Sequence, residues 1–342
     1  MKMADTVLVT GGAGYIGSHV VAALAASGST PIILDSFVNS SPDVVTRLRR
    51  IAGRTIRCVK ADVRNRSALD AVFAEHRVTS VVHCAGLKAV GEGEEQPVRY
   101  YDYNVGGAIV LVEAMAAAGV KSLVFSSSAT VYGQPDTNPV AEDAPLRPAS
   151  VYGRTKHIIE QILTDLAAAD GEWRVALLRY FNPAGAHASA LIGEAPTTRA
   201  NNLVPLLARA AVNPASCINV YGDDWPTPDG TGVRDYLHVV DLAEGHVAAL
   251  AHLALERGVT TLNLGAGNAY SVLEVIAAFE RACGHAIAHR IVPRRAGDIA
   301  SCYADPARAN KLLGWRAERA IDAICADAWW WETSRWNVST PR

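Results

Sequence analysis

Val7-Leu8-Val9-Thr10-Gly11-Gly12-Ala13-Gly14-Tyr15-Ile16-Gly17 decides how this chain folds. An apolar strand runs straight into a glycine-rich turn, and a helical pattern over residues 16–26 starts beyond it. Glycines at 11, 14 and 17 permit a tight strand-to-helix turn, close approach of backbone N–H groups to a pyrophosphate, and intimate packing of helix on sheet. A glycine pattern alone is weak evidence, but a place between a strand and an amphipathic helix is what a dinucleotide site requires. The next strand ends in Asp35, a carboxylate placed for the adenosine ribose hydroxyls. It favours NAD and repels the extra phosphate of NADP.

Outward from this turn, strands are expected at 7–10, 31–35, 56–60, 80–84, 123–126 and 175–180, with helices at 16–26, 68–75, 105–118 and 151–166. Continuous apolar strands joined through helices argue for a parallel sheet covered on both faces, and right-handed crossovers make it doubly wound. After Tyr180 the rhythm changes: Asn182-Pro183-Ala184-Gly185 breaks the pattern, and residues 222–232 form a loop rich in Asp, Pro and Gly. Helices at 239–252 and 272–282 and a strand at 261–264 follow. The expected architecture is α/β: a Rossmann-type doubly wound parallel sheet in residues 1–180, and a smaller C-terminal α/β substrate lobe in residues 181–342, with chain crossing between them. Trp329-Trp330-Trp331 reads as a terminal helix packing bulky rings onto the body. Asp62 and Val63, after the third strand, are placed for the adenine edge, with a helix N-terminal carboxylate as the other reading of Asp62. Ala85 and Gly86, after the fourth, are small enough to let a dinucleotide pass.

Ser126-Ser127-Ser128 follow the fifth strand, so their hydroxyls lie at a strand's carboxyl end, where open α/β sheets keep their ligands. Tyr152 and Lys156 lie four apart on a stretch that is helical from Ser150, and project from one face about one turn apart. A phenol is a poor base at its free pKa of about 10, and a cation beside it is expected to pull that value down. Serine, tyrosine and lysine together suit removing a hydroxyl proton while hydride leaves the same carbon.

The chain has 342 residues, half of them hydrophobic and 19% charged, the balance of a globular protein with ample core. A formal charge of −2 offers no general attraction to nucleic acid or anionic membrane. No apolar run approaches the roughly 18 residues a membrane helix needs, and a strand starting near residue 6 leaves no room for a signal peptide. Six scattered cysteines show no C-x-x-C pair and no zinc spacing, and His285 and His289 lack a Glu partner. A cytoplasmic protein without a metal is expected.

These pieces together resemble the extended short-chain dehydrogenase/reductase family, nearly end to end. Residues 9–19, 85–92, 126–133, 152–156 and 178–187 carry the resemblance, with Asp229-Gly230-Thr231-Gly232-Val233-Arg234-Asp235-Tyr236 and Pro293-Arg294-Arg295-Ala296-Gly297-Asp298 in the second lobe. The Gly-Leu-Lys, Phe-Asn-Pro and Gly-Thr-Gly-Val-Arg-Asp-Tyr stretches are the narrow ones, and they point to the branch that epimerises UDP-hexoses at C4. The resemblance implies interconversion of UDP-glucose and UDP-galactose through a transient 4-ketose, with hydride passing to and from bound NAD. It implies Tyr152 as general base, Lys156 as its electrostatic partner and a ligand of the nicotinamide ribose, and Ser128 as the donor to the sugar's 4-oxygen. On the cofactor it places Gly11, Gly14, Tyr15, Ile16, Gly17, Asp35, Asp62, Val63, Ala85, Gly86, Lys88, Asn104, Ser126, Tyr152, Lys156 and Tyr180. On the nucleotide sugar it places Lys88, Ser128, Asn182, Asn202, Leu203, Tyr221, Arg234, Arg295, Asp298 and Cys302. Arg234 and Arg295 suit a diphosphate, which a guanidinium grips as a fork.

Some relatives carry Tyr where this chain has Cys302, and a small side chain there leaves room for a 2-acetamido group. UDP-N-acetylglucosamine and UDP-N-acetylgalactosamine are therefore expected as further substrates. The resemblance also implies a homodimer through helical stretches 92–118 and 150–168. Two departures, Cys84 where many relatives have Phe and Val151 where Pro is common, are expected to alter packing rather than chemistry. The competing reading is another nucleotide-sugar enzyme of the same family, a 4,6-dehydratase or a UDP-glucuronate epimerase. Ala129 and Thr130 after Ser128 supply no carboxylate for dehydration. A silent NAD-binding regulator would not need intact Ser128, Tyr152 and Lys156.

Overall fold

The computed structural model describes residues 5–195, 202–213, 215–295 and 297–337. The strands are β1 (Thr6–Thr10), β2 (Thr30–Asp35), β3 (Arg57–Lys60), β4 (Ser80–His83), β5 (Ser122–Ser126), β6 (Arg174–Tyr180), β7 (Asn182–Ala184), β8 (Ile218–Tyr221), β9 (Val233–His238), β10 (Gly258–Leu264), β11 (Ala269–Ser271), β12 (His289–Val292) and β13 (Ser301–Cys302). The helices are α1 (Tyr15–Ala26), α2 (Asp43–Ala52), α3 (Arg66–Glu75), α4 (Val90–Glu95), α5 (Pro97–Tyr100), α6 (Gly107–Ala117), α7 (Val151–Ala169), α8 (Leu203–Val212), α9 (Val239–Leu253), α10 (Val272–Cys283), α11 (Ala307–Leu313) and α12 (Ile321–Asn337). No helix among the described residues is long and apolar enough to cross a membrane.

Seven strands form one parallel sheet in the order β10-β6-β5-β4-β1-β2-β3. Side chains alternate between its faces, so neighbours on one strand enter different cores. Val7 and Val9 join Val20, Leu24, Leu48, Leu242 and Leu253 from α1, α2 and α9. Leu8 joins Leu69, Leu111, Met115, Ile159 and Leu163 from α3, α6 and α7. Burial on both sides explains why these strands read as unbroken apolar runs. The strand order reverses between β1 and β4, and a crevice opens there at the carboxyl ends.

The second lobe holds β11, β9 and β13 with β7 beside β9, and the parallel pair β8–β12. Its own core gathers Leu207, Val220, Tyr236, Phe279 and Ile324 between α8, α10 and α12. The chain crosses back after residue 180: α9 packs on α1, and β10 pairs with β6 as the seventh strand of the large sheet. The helix expected from residue 105 is regular only from Gly107, because a π-helical turn, Tyr101–Gly106, precedes it. Helix α2, absent from the expected helices, buries Val45 and Leu48 in the first core with Val44 and Ile51 packed against it. In α12, Trp331 is buried and Trp329 packs edge-on against Phe279, while Trp330 is 56% exposed.

Candidate active site

The glycine turn is enforced by sterics. Gly11 has φ of 69°, and a Cβ there would lie 2.7 Å from the backbone nitrogen of Ala85. A Cβ on Gly17 would meet the Gly11 carbonyl oxygen at 2.1 Å. With both side chains absent, α1 starts close under β1 and its first turn, free of acidic residues, faces a cleft of about 370 Å³. Free N–H groups at a helix start attract an anion. Gly11, Gly14, Tyr15, Ile16, Gly17, Asp35, Asp62, Val63, Ala85, Gly86, Lys88, Tyr152, Lys156 and Tyr180 all border this one cleft. Asp35 accepts from the Ala13 amide (2.9 Å) through one oxygen, and from the Phe37 amide and the Ser40 hydroxyl (both 2.9 Å) through the other. It therefore ties the glycine turn to the loop after β2. The Asp62 carboxylate is gripped by the Arg64 guanidinium, which holds its pKa below the usual range, while Asn65 caps α3. Asp62 is thus not the capping residue.

Of the three predicted catalytic residues, Tyr152 and Lys156 border the cleft, while Ser128 does not line it but has its hydroxyl beside the Tyr152 phenol. Ser128 follows β5, and its Oγ accepts from the Thr130 amide (3.2 Å) and the Thr130 hydroxyl (3.0 Å), leaving its own proton to donate outward. Helix α7 is capped by the Ser150 hydroxyl, which accepts from the Gly153 amide, and this fixes Tyr152 in the first turn. Lys156 donates to the Ser126 carbonyl (2.7 Å), with its ammonium 4.6 Å from the Phe125 ring centre and 5.8 Å from that of Tyr152. Burial pushes the Tyr152 phenol up to about 12, and only the Ser128 hydroxyl pulls it the other way. The sequence-based expectation of a phenol lowered by Lys156 is not met by the protein's own groups, because desolvation outweighs a cation whose amine is turned to the Ser126 carbonyl. Burial also lowers the Lys156 ammonium to about 8.

Two expected cofactor contacts lie behind the cleft wall. The Asn104 amide exchanges hydrogen bonds with the Leu87 backbone (2.8 and 3.0 Å) and donates to the Thr155 hydroxyl (3.0 Å). The Ser126 hydroxyl meets His246 Nε2 (2.8 Å) and the Cys84 thiol (3.2 Å). Both residues brace the wall. Deeper still, Glu160 takes the Ser127 hydroxyl and a forked Arg179 guanidinium (2.7 Å at Nη2), and Arg179 also reaches the Tyr132 hydroxyl (3.1 Å). Tyr132 donates onward to Asn263 of β10 (2.7 Å). This buried network pins the serine run from three elements, and nothing local in the sequence announces it.

The second lobe gathers the remaining predicted residues outside that cleft. Arg295 pairs with Asp298 (3.0 Å), and its guanidinium lies 4.9 Å from the Tyr221 ring centre. Arg234 stands opposite Cys302 across the β9–β13 pairing and donates to its neighbour's carbonyl, that of Val233 (2.8 Å). Cys302 is buried with Val131, Tyr132 and Phe181, and burial raises its thiol to about 11. Asn182 is exposed at the start of β7; Leu203 opens α8, with Asn202 just before it. Among the described residues no group of three or more His, Cys, Asp or Glu is arranged to hold a metal ion. Of the bordering residues that went unpredicted, Glu194, Trp331 and Arg335 reach the dinucleotide cleft from far along the chain.

Residues 7–265 match the NAD dependent epimerase/dehydratase family. A UDP-glucose 4-epimerase of Bacillus subtilis is 52% identical over 331 residues, 97% of this chain and 98% of its own. The mouse enzyme of the same name is 48% identical over 335 residues, 96% of both chains. The fold superimposes on a UDP-glucose 4-epimerase from Stenotrophomonas maltophila, bound to NAD and formylated UDP-arabinopyranose, with a TM-score of 0.96 at 50% identity, covering 98% of this chain and 100% of that one. A Bifidobacterium longum UDP-glucose 4-epimerase in complex with NAD+ and UDP gives 0.93 at 49% identity, covering 97% and 99%. With this glycine turn, cleft and Ser-Tyr-Lys set, the chain belongs to the NAD-dependent epimerase/dehydratase family.

Proposed function

We propose that this protein interconverts UDP-glucose and UDP-galactose by inverting C4, with NAD held in the cleft between β1, β2 and β4. One observation carries the reading: Tyr152 and Lys156 border the same cleft as the glycine turn and Asp35. The residues suit NAD. The N-terminus of α1 is placed for the pyrophosphate, Asp35 keeps acceptor capacity for a ribose diol, and Gly11 lets the turn pack directly on Ala85 beside the cleft. Bound NAD supplies the hydride acceptor and a positive charge, both restored within one turnover.

C4 of a hexose has no acidic neighbour to loosen its C–H bond, so transient oxidation is the route. Tyr152 as phenolate takes the 4-hydroxyl proton while Ser128 donates to O4 and holds it. Bringing the phenol down from about 12 needs positive charge beyond the protein's own, which an oxidised nicotinamide cofactor fits. Hydride returning to the opposite face requires the ketose to turn while its UDP stays fixed. Arg234, Arg295, Tyr221, Asn182, Asn202 and the start of α8 at Leu203 serve as the nucleotide clamp, with Lys88 between the two ligands. Asp298 acts through its ion pair with Arg295.

Cys302 leaves the sugar pocket roomy, so UDP-N-acetylgalactosamine is turned over too. The test offers purified protein, without added NAD, UDP-galactose and UDP-N-acetylgalactosamine separately and resolves the products. Conversion of both is expected, and Cys302→Tyr should cut the N-acetylated reaction about tenfold or more while sparing UDP-galactose. Full activity of that variant on both sugars removes the Cys302 assignment, and conversion of neither sugar by the unaltered protein removes the epimerase.

The protein works as a homodimer in the cytoplasm. The α4–α6 segment packs against α7 and leaves Val98 80% and Ile109 40% exposed, an apolar surface that a second copy would cover. All six cysteines are free thiols, in keeping with a reducing compartment.

A further inference from the structure

Beyond the glycine turn, the cleft is bordered by Ile192, Gly193, Glu194 and Ala195, which belong to the second lobe. They end a short hairpin: Ala186 and Gly193 bridge as antiparallel partners, and the His187 amide donates to the Ile192 carbonyl (3.1 Å). Both arms of the hairpin are fastened at its open end. The Tyr15 hydroxyl, from the first turn of α1, donates to the Gly185 carbonyl (2.7 Å). Trp331 of α12 donates from Nε1 to the Glu194 carbonyl (3.1 Å), and its ring lies so close over Gly193 that a Cβ there would sit 2.5 Å from Cγ. The indole itself is buried.

The Glu194 carboxylate is the centre of this arrangement. Its side chain is only 9% exposed. One oxygen, Oε1, accepts from Lys88 Nζ (2.9 Å) and from Asn202 Nδ2 (2.9 Å). Lys88 follows β4 on the cofactor side, and Asn202 precedes α8 on the nucleotide-sugar side. Among the described residues the other oxygen, Oε2, is buried with no hydrogen-bond partner. A buried carboxylate oxygen left unpaired is costly, and a donor arriving with a ligand relieves it.

We propose that Glu194 is a cofactor-retaining residue, bridging Lys88 and Asn202 through one oxygen and accepting a hydroxyl of the bound dinucleotide through the other, with Trp331 holding it in place. The proposal rests on the dinucleotide cleft assigned above. It explains why a helix at the far end of the chain reaches that cleft: α12 closes the wall behind the cofactor. A cofactor regenerated within each turnover gains from slow release, and a carboxylate suits ribose hydroxyls, as Asp35 does at the other end.

The test measures how fast bound dinucleotide exchanges from the purified holoenzyme against excess deuterium-labelled NAD, read by mass spectrometry. Glu194→Gln should speed release roughly tenfold or more, the loss of about one charge-assisted hydrogen bond. Trp331→Phe, which keeps a ring over Gly193 but loses the N–H donor, should speed it by a smaller factor. Trp330→Ala, an exposed neighbour on the same helix, should leave it at the wild-type rate. Unchanged release in Glu194→Gln overturns the proposal, and so does equal acceleration by Trp330→Ala and Trp331→Phe, which would mark a general loosening of α12. An unaltered protein that neither carries nor takes up NAD would instead sink the cofactor assignment, and the clasp with it.

Discussion

Ser128, Tyr152 and Lys156 are each under a tenth exposed, whereas Tyr221 is 37% exposed and Asn182, Asn202 and Arg295 are open to solvent. The first group is held from behind by hydrogen bonds that leave little freedom: Lys156 on the Ser126 carbonyl, Ser126 on His246, Ser127 on Glu160, Glu160 on Arg179. In the second group Arg295 and Tyr221 share only an ion pair with Asp298 and a ring contact, and Asn202 makes one hydrogen bond, to Glu194. The difference follows from the proposed reaction. Proton and hydride transfer need fixed partners at short range, while a nucleotide clamp must open for a substrate to enter and leave. A hexose that must present both faces of C4 needs rigid chemistry beside it and a pocket that does not grip the ring.

Replacing a reacting group should have the largest effect. Tyr152→Phe removes the base without changing ring volume, and kcat for UDP-galactose is expected to fall about 10²–10⁴-fold, with bound dinucleotide retained by absorbance. A fall under threefold would move the base elsewhere. Next comes the rigid side's scaffold. Arg179 and Glu160 form an ion pair with side chains 7% and 4% exposed, and removing one partner of such a pair strands a buried charge. Glu160→Ala should lower the unfolding free energy by about 3–5 kcal/mol in urea titration. Tyr221→Ala on the open side should cost under about 1 kcal/mol; equal losses would erase the contrast.

Arg295→Met should raise KM roughly tenfold and leave kcat near its original value, because a phosphate contact made equally in ground and transition states acts on binding alone. A matching fall in kcat would put Arg295 among the reacting groups. The smallest effect concerns pH. As the proposed base Tyr152 must act unprotonated, and burial has raised its phenol, so kcat should climb towards alkaline pH. Lys156 carries its charge below about 8 and loses it above. Lys156→Met should leave the rising limb where it is, because the amine is turned to the Ser126 carbonyl and is uncharged above about 8. A limb moved up by about one pH unit or more would mean that Lys156 does assist the phenolate.

The turn at Gly11–Gly17, Asp35 and the Tyr152–Lys156 pair were readable because each is a local spacing with one steric or electrostatic meaning. A strand, a missing Cβ and one helical turn lie within reach of a short window of sequence. What stayed hidden depends on meetings between distant segments. Glu160 and Arg179 are neighbours only because α7 lies on β6, and Tyr132 finds Asn263 only because β10 returns to the large sheet. The same holds for Glu194 and Trp331, which nothing in their own surroundings marks as cleft residues. Asn104 and Ser126 were assigned to the cofactor by position, yet their polar atoms are engaged in the wall behind it, a distinction of direction that spacing does not carry.

The central claim is that hydride leaves C4 and returns to it within one protein-bound cycle. UDP-galactose carrying deuterium at C4 should be converted, in ordinary water and with no NAD added, to UDP-glucose with the deuterium still at C4. Loss of the label to solvent would contradict the account, because it would mean that C4 is inverted by proton exchange and that the Ser128–Tyr152–Lys156 cleft does different chemistry.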